Sequence, residues 1–240
     1  MAGWGRSCPE TESFCATAAS LAFSPGGDLL AAGADTGGIC VWRTGHADPL
    51  FTLTGHEGAV NSVAFSRDAT ALASGGSDRT VRTWDLRSGQ RLEVLKGHSR
   101  NVLAVAFGMD RSSLASCGED SAVILWDVAG RRAGKRFRDP NGPVRSLCFS
   151  PDGSELVSGG LQSLRRWHVG KRKLIGRLMA GRADVRSGRW TPGTPAFPES
   201  VMAMSYSPEG DMLACACTNQ TLLVWDTKSW EAKVLKPSGR

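Results

Sequence analysis

The sequence predicts an all-β protein built from repeated units of four antiparallel strands. The first observation is a period, because aromatic residues recur at intervals of 42, 42, 42 and 57 residues, at Phe23, Phe65, Phe107, Phe149 and Tyr206. The second is a turn signal that follows each aromatic, such as Ser-Pro-Asp-Gly from residue 150, in which proline presets φ and Asp or Gly tolerates the turn. A repeat of this length indicates stacked supersecondary units.

The unit is clearest at residues 55–86, which read GHEGAVNSVAFSRDATALASGGSDRTVRTWDL. Its first run, residues 59–65, alternates apolar and polar side chains and predicts a half-buried strand. Residues 71–74 are small and apolar and predict a second strand, and residues 81–84 alternate again and end on an indole. The run after Trp84 supplies the fourth strand, so five units predict five four-stranded sheets.

The dipeptides Gly55-His56 and Trp84-Asp85, which open and close this unit, resemble those of the WD-repeat family. The resemblance implies a β-propeller with one sheet per blade, although the family usually closes its ring with seven or eight blades. With five units, two alternatives remain: the chain forms a small or distorted ring, or it is part of a larger propeller and its ring is incomplete. We expect blades at residues 13–54, 55–96, 97–138, 139–180 and 197–236, a loop insertion at 181–199, and tails at 1–12 and 237–240.

The resemblance also implies one buried hydrogen-bonded network per complete blade, made by a histidine, a serine, an aspartate and a tryptophan. An indole N–H, a hydroxyl and an imidazole each need a partner when buried, and a carboxylate can complete the circuit. Because the set occurs twice and its serine lies within a strand, we interpret it as structural rather than as a nucleophilic triad. The two tetrads are His56, Ser74, Asp78 and Trp84, and His98, Ser116, Asp120 and Trp126.

Composition indicates an ordinary globular protein, since 41% of the 240 residues are hydrophobic and 22% are charged. No apolar run is long enough for a membrane span, and the first residues lack the apolar stretch of a secretory signal. The seven cysteines are an odd number and favour buried free thiols in a reducing cytoplasm or nucleus. Cys215 and Cys217 alone are weak support for zinc, so we expect no metal and no cofactor.

Basic residues concentrate between residues 131 and 189, which hold fifteen Lys or Arg against four Asp or Glu. Such a field could steer an acidic protein to one side of the molecule. An anionic membrane surface or a nucleic acid could also be drawn to such a field, but few interleaved aromatics are present for base stacking, which argues against a nucleic acid. The predicted basic patch comprises Arg131, Arg132, Lys135, Arg136, Arg138, Arg165, Arg166, Lys171, Arg172 and Lys173.

No phosphate-binding loop, zinc-protease helix or nucleophile elbow occurs, so the sequence predicts a non-catalytic protein. The resemblance implies a scaffold or adaptor that binds other proteins through loops at one end of the blades. Carried over by position, it indicates these candidates for partner binding: Glu57, Ser77, Arg79, Ser99, Arg100, Asn101, Glu119, Ser121 and Asn141.

Two further functions stay open. Family members that serve as substrate receptors of cullin-RING ubiquitin ligases carry Trp-Asp-x-Arg after the third strand, and Trp84-Asp85-Leu86-Arg87 is similar to that motif. Only Arg87 adds information, because the repeat already accounts for Trp-Asp. The other alternative is a nucleic-acid or chromatin reader that uses the basic fourth blade.

Overall fold

The computed structural model describes residues 17–128, 130, 132–178, 200–218 and 220–235. Within them the chain forms twenty strands in five four-stranded antiparallel sheets and no helix, which confirms the predicted fold class. The predicted tails and the loop insertion at residues 181–199 lie outside the described residues.

Each sheet consists of four consecutive strands joined in meander order. Sheet 1 contains β1 (Ala18–Phe23), β2 (Leu29–Ala34), β3 (Ile39–Arg43) and β4 (Pro49–Leu53). Sheet 2 contains β5 (Val60–Phe65), β6 (Ala71–Gly76), β7 (Thr80–Asp85) and β8 (Arg91–Lys96). Sheet 3 contains β9 (Val102–Phe107), β10 (Ser113–Gly118), β11 (Ala122–Asp127) and β12 (Arg132–Arg138). Sheet 4 contains β13 (Val144–Phe149), β14 (Glu155–Gly160), β15 (Ser163–His168) and β16 (Lys173–Leu178). Sheet 5 contains β17 (Val201–Tyr206), β18 (Met212–Cys217), β19 (Leu222–Asp226) and β20 (Ala232–Leu235).

The first strands of successive sheets lie side by side, β1 next to β5, β5 next to β9, β9 next to β13 and β13 next to β17. They therefore line a common axis, and the fourth strands lie at the outer rim. Hydrophobic clusters fill the space between sheets 1 and 2, 2 and 3, 3 and 4, and 4 and 5. Among the described residues no hydrophobic cluster joins sheet 5 to sheet 1, so the propeller is open.

The two ends of each sheet carry different connections. In sheet 2, the link at residues 54–59 and the β6–β7 turn at 77–79 lie at one end, which we call the loop end. The β5–β6 turn at 66–70 and the β7–β8 turn at 86–90 lie at the other, which we call the hairpin end. At the hairpin end the Ser66 hydroxyl donates to Asp68 and accepts from the Ala71 N–H, and Ser150 and Asp152 repeat the donation in sheet 4. The turns predicted after the aromatics are thus hydrogen-bonded hairpin turns.

A cavity of about 440 Å³ opens on the axis at the hairpin end. The aromatic residues of sheets 2 to 5 line it, so the residues that mark the sequence period also surround the axis. Its aromatic lining is Phe65, Phe107, Phe149 and Tyr206. From sheet 2, Arg67 reaches across it and donates to the carbonyl oxygen of Pro151 in sheet 4, at 3.3 Å.

Candidate functional site

The structure brings the four tetrad residues of sheet 2 together at the loop end. His56 belongs to the link that enters β5, Ser74 lies in β6, Asp78 follows β6, and Trp84 lies in β7. The indole Nε1 of Trp84 lies 2.9 Å from Ser74 Oγ, which lies 2.8 Å from His56 Nε2. His56 Nδ1 lies 2.9 Å from Asp78 Oδ2. Four side chains that are distant in the sequence thus form one hydrogen-bonded chain.

The direction of these hydrogen bonds follows from what each group can donate. The indole N–H only donates and an ionised carboxylate only accepts, so Nδ1 of His56 donates to Asp78 and the Ser74 hydroxyl accepts from Trp84. The Ser74 hydroxyl is then free to donate to Nε2 of a neutral His56. Burial lowers the pKa of His56 below its ordinary value, in spite of the opposing effect of Asp78, and so favours this neutral form. Burial alone would raise the pKa of Asp78, but hydrogen bonds led by those from Thr80 lower it to about 2.

Sheet 3 repeats the arrangement. Trp126 Nε1 lies 2.8 Å from Ser116 Oγ, Ser116 Oγ lies 2.7 Å from His98 Nε2, and His98 Nδ1 lies 2.9 Å from Asp120 Oδ1. Burial again lowers the pKa of His98. Both serine hydroxyls lie in the interior, Ser74 and Ser116 being fully buried. A nucleophile must reach its substrate, and these hydroxyls are enclosed between strands, which favours a structural role.

An arginine completes each tetrad, and the sequence pattern did not reveal either one. In sheet 2 the buried Arg82 donates to Asp78 across 3.1 Å. In sheet 3 the guanidinium comes from the outer strand instead, where Arg136 donates to Asp120 across 3.0 Å with its side chain 48% exposed. The same charge is therefore supplied from two different strands, so no fixed spacing in the repeat could have identified it.

Sheet 4 replaces the histidine and aspartate with a different buried group. Trp167 still donates to Ser158, at 2.8 Å, but Asp139 accepts from Arg165 Nε at 2.8 Å and from the Ser163 hydroxyl at 2.5 Å. All three residues of this ion-paired group are buried. Arg165 stands two residues before its tryptophan, as Arg82 does, and that shared spacing is the one sequence signal that could have indicated the pair.

The β14–β15 turn is also one residue shorter than its counterparts, because Ser158 and Trp167 are nine residues apart whereas Ser74 and Trp84 are ten apart. By spacing alone Gln162 would stand at the aspartate position, because it follows Phe149 at the same distance as Asp78 follows Phe65. The structure places it instead at the turn position of Arg79, since both have a left-handed φ, 49° for Gln162 and 68° for Arg79. Ser121 and Gln220 adopt the same conformation at this position, with φ of 62° and 61°, so the left-handed residue belongs to the repeat and not to one site.

Sheets 1 and 5 depart further from the pattern. Ala32 stands at the serine position of sheet 1. In sheet 5 the serine position is held by the buried Cys215. Burial raises the pKa of Cys215 well above that of a free thiol, which keeps the sulfur protonated. Within the described residues, no group of three or more His, Cys, Asp or Glu residues is arranged to bind a metal ion.

The candidate partner-binding residues gather at the loop end of sheets 2 and 3, except Asn141, which lies at the loop end of sheet 4. Asp78, which lies in the β6–β7 turn, accepts from the backbone N–H of Glu57 in the link before β5 and from that of Thr80 at the start of β7, at 3.1 and 3.0 Å. Asp120 does the same for Ser99 and Ala122, at 2.9 and 3.2 Å. Each carboxylate thereby fixes two loops to a buried histidine. The exposed candidates are Glu57, Arg79, Ser99, Arg100 and Asn141, and the half-buried ones are Ser77, Asn101, Glu119 and Ser121.

Hydrogen bonds also join the loop ends of neighbouring sheets. The Asn61 amide donates to Ser77 Oγ at 3.2 Å and to the carbonyl oxygen of Val102, in sheet 3, at 2.9 Å. The N–H of Glu119 donates to the carbonyl oxygen of Asn101 at 3.0 Å. The candidates of sheets 2 and 3 therefore lie on one connected surface. Asn141 belongs to sheet 4, where its amide donates to the carbonyl oxygen of Gln162 at 3.3 Å.

The predicted basic patch is smaller than the sequence indicated. Arg165 is buried against Asp139 and cannot belong to a surface. Arg166 is paired with Glu155, at 2.7 Å, and its guanidinium lies 3.7 Å above the ring of Trp230, so its charge is partly neutralised. The exposed cations that remain on β12 and at the start of β16 are Lys135, Arg136, Arg138, Lys171, Arg172 and Lys173.

This basic surface belongs to two sheets, because β12 is the outer strand of sheet 3 and only β16 belongs to sheet 4. Arg132 lies at the start of β12, and Arg131 lies outside the described residues. None of the residues that the structure describes forms a helix long and apolar enough to cross a membrane.

The chain is similar to one family of known proteins along most of its length. A family model described as WD domain, G-beta repeat matches residues 13–43, 47–85, 89–127, 133–168 and 194–226. These five segments cover most of the chain, and each contains the first three strands of one sheet. No curated protein matches the chain significantly.

Proposed function

We propose that this chain, which belongs to the WD-repeat family, is a non-catalytic scaffold that binds other proteins through the loop end of sheets 2 and 3. WD repeats in general indicate a protein-interaction scaffold, so the family supports the coarse function. The finer proposal names a surface.

The observation that carries the proposal is the double attachment made by Asp78 and Asp120. Each aspartate lies in the turn between the second and third strands, and its carboxylate accepts a backbone N–H from the link before the first strand, a backbone N–H from the start of the third strand and a ring N–H from a buried histidine. Loops held in this way lose little conformational freedom when a partner binds, and binding is therefore less costly than it would be to loose loops. A rigid framework that presents loop side chains is the usual location of binding residues.

The presented groups favour a polar partner. Glu57, Arg79, Ser99 and Arg100 are exposed on the two loop pairs, so the surface offers a carboxylate, a hydroxyl and two guanidinium groups. Arginine is enriched among the residues that dominate binding energies, because its planar donors recognise carboxylates in pairs. We expect Arg79 and Arg100 to contribute most.

A second candidate is the receptor of a cullin-RING ubiquitin ligase, and the geometry of the β7–β8 turn favours it. Asp85 accepts the N–H groups of Arg87 and Ser88 at 2.7 and 3.1 Å, which fixes the turn. Leu86 is buried while Arg87 is exposed at the hairpin end. A contact through Arg87 would therefore use the opposite end of the molecule from the loop surface.

A third contact is electrostatic and concerns the exposed cations of β12 and β16. Lys135, Arg138 and Lys173 are exposed on the outer rim, where an acidic partner could approach. Such a contact would weaken as salt screens the charges, over a distance of about 8 Å at physiological ionic strength. Salt dependence therefore distinguishes this surface from the loop end.

The test is quantitative capture from cell extract with three variants of the full chain. Arg79→Ala/Arg100→Ala alters the loop end, Arg87→Ala the hairpin end, and Lys135→Glu/Lys173→Glu the rim. We expect the first variant alone to lose its principal partners, by about tenfold, the effect of roughly 1.4 kcal/mol. Loss with Arg87→Ala alone would instead support the ligase receptor, and equal recovery by all three variants would contradict every surface named here.

A further inference from the structure

The first and the last sheet each have one exposed apolar face. The equivalent faces of the other sheets are covered by a neighbouring sheet. In sheets 1 to 4, we call the face that is directed at the next sheet the leading face and the opposite one the trailing face. In sheet 5, the leading face is the one that carries the equivalent residues. We propose that the leading face of sheet 5 binds the trailing face of sheet 1 of a second copy of this chain. The proposal concerns a surface separate from the loop end and does not depend on the proposed function.

The interior interfaces define what these faces do. In each of sheets 1 to 4, the leading face presents a cross-strand apolar pair from the third and fourth strands, which the next sheet buries. Every member of these pairs is at most 8% exposed. The pairs are Ile39 with Leu53, Val81 with Leu95, Val123 with Phe137, and Leu164 with Leu178.

Sheet 5 has the same pair without a cover. Leu222 pairs with Leu235 in the register of the other four, and Leu222 stands three residues before Trp225 just as Val81 stands before Trp84. Leu222 is 38% exposed and Leu235 is 50% exposed. Both positions keep apolar side chains although no neighbouring sheet covers them. The leading face of sheet 5 therefore has the apolar side chains that form the contact between sheets elsewhere in the chain.

The trailing face of sheet 1 is equally uncovered. Phe23 occupies the position of Phe65, and Leu21 that of Val63. Phe65 and Val63 are 9% and 7% exposed because they pack against sheet 1, whereas Phe23 is 63% and Leu21 66% exposed. Two large apolar side chains thus project where the inner sheets have their contact residues.

A second copy is the occupant that these faces fit. The contact between a leading and a trailing face occurs four times within the chain, so the same pairing between two copies continues an interface that the chain already builds. In repeat proteins the outermost units normally have polar outer faces, and these two do not. No sheet in the described residues combines strands from both ends of the chain, so no exchanged strand closes the ring internally.

The pairing joins two different surfaces, so it is heterologous and leaves one face of each kind free in a dimer. This property gives a sharp test. Leu21→Glu/Phe23→Glu disables the trailing face, and Leu222→Glu/Leu235→Glu disables the leading face. All four positions are solvent-exposed in the isolated chain, so charged residues there should leave the monomer folded. Leu92→Glu, on the outer strand β8 and 44% exposed, is the matched control.

Mass would be measured by sedimentation or by light scattering after gel filtration. We expect the wild type and Leu92→Glu to associate with increasing concentration, and each face variant alone to remain a monomer of 25.5 kDa. An equal mixture of the two face variants should form a dimer of twice that mass, because one intact face of each kind remains.

Three outcomes would overturn the proposal. A wild type that is monomeric at every concentration would show that the faces do not associate. Association that survives in one face variant would show a pairing of like faces. A mixture of the two variants that stays monomeric, with circular dichroism showing both folded, would exclude the heterologous contact.

Discussion

The contacts of Asp78 predict that Asp78→Ala is strongly destabilising. Its carboxylate accepts hydrogen bonds from the ring N–H of His56, the N–H of Glu57, the N–H and hydroxyl of Thr80, and the guanidinium of Arg82. His56 and Arg82 are both buried. Removal of the carboxylate leaves a ring N–H without an acceptor and a buried cation without its counter-charge.

The magnitude follows from those two losses. A buried donor left unpaired costs about 1–3 kcal/mol, and breaking a buried ion pair from one side costs about 3–5 kcal/mol. Because Arg82 can partly reorient toward water at the loop end, we expect on the order of 3 kcal/mol. Asp120→Ala should cost less, about 2 kcal/mol, because its partner Arg136 is half-exposed and solvent can replace the lost contact.

Equilibrium urea unfolding followed by tryptophan fluorescence measures both values, and exposed Asp48→Ala is the control. Asp68→Ala is a poor control although Asp68 is exposed, because its carboxylate accepts from Ser66 and Thr70 and these bonds lower its pKa to about 2. The reasoning is refuted if Asp78→Ala and Asp48→Ala shift the midpoint equally, or if Asp120→Ala costs clearly more than Asp78→Ala.

Three further predictions concern buried titratable groups. Burial lowers the pKa of His56 and His98 below 6.5, so below about pH 6.5 the unfolded chain binds protons that the folded chain does not, and the free energy of unfolding should decrease as the pH falls. The double variant His56→Gln/His98→Gln should flatten this dependence between pH 7 and pH 5. An unchanged slope in that variant would contradict the prediction. Burial raises the pKa of Cys117, which is fully buried in β10, so this thiol should react with a thiol reagent only after unfolding. Peptide mass spectrometry with and without urea would show this, and equal labelling in both states would contradict its burial. Asp139→Ala should lower the free energy of unfolding by about 3–5 kcal/mol, because it leaves the buried Arg165 without its counter-charge. The double variant Asp139→Ala/Arg165→Met should recover much of this loss in the same unfolding assay. Additive losses would show that the two residues are not coupled.

The fold could be predicted from the sequence because its main signals are local and repeated. The aromatic of each first strand, the turn after it and the tryptophan of each third strand recur at the same spacing in sheets 1 to 3. The open ring could not be predicted in the same way. Leu222 and Phe23 have the same residue types as their covered counterparts, so only the arrangement of the sheets shows that these two are exposed.

The tetrads could likewise be located by spacing, because His56 and His98 stand at the same distance before their tryptophans. The buried pair of Asp139 and Arg165 was missed, although Arg165 stands two residues before its tryptophan as Arg82 does. Its residues are charged types that ordinarily lie on the surface, and 26 residues separate them, so the sequence assigned Arg165 to a basic surface. A buried charge is identified by its partner, and the partner becomes known only when the chain has folded.

Because the loops are anchored through backbone groups, their conformation does not depend on which side chains they carry. Glu57 and Ser99 occupy equivalent positions, and each donates its backbone N–H to an aspartate of the repeat, at 3.1 and 2.9 Å. The anchor therefore does not require a particular side chain, so one sheet can present a carboxylate where the next presents a hydroxyl. A scaffold made in this way can change what it binds by substitution in the loops, while the buried histidines and aspartates keep the loops in place.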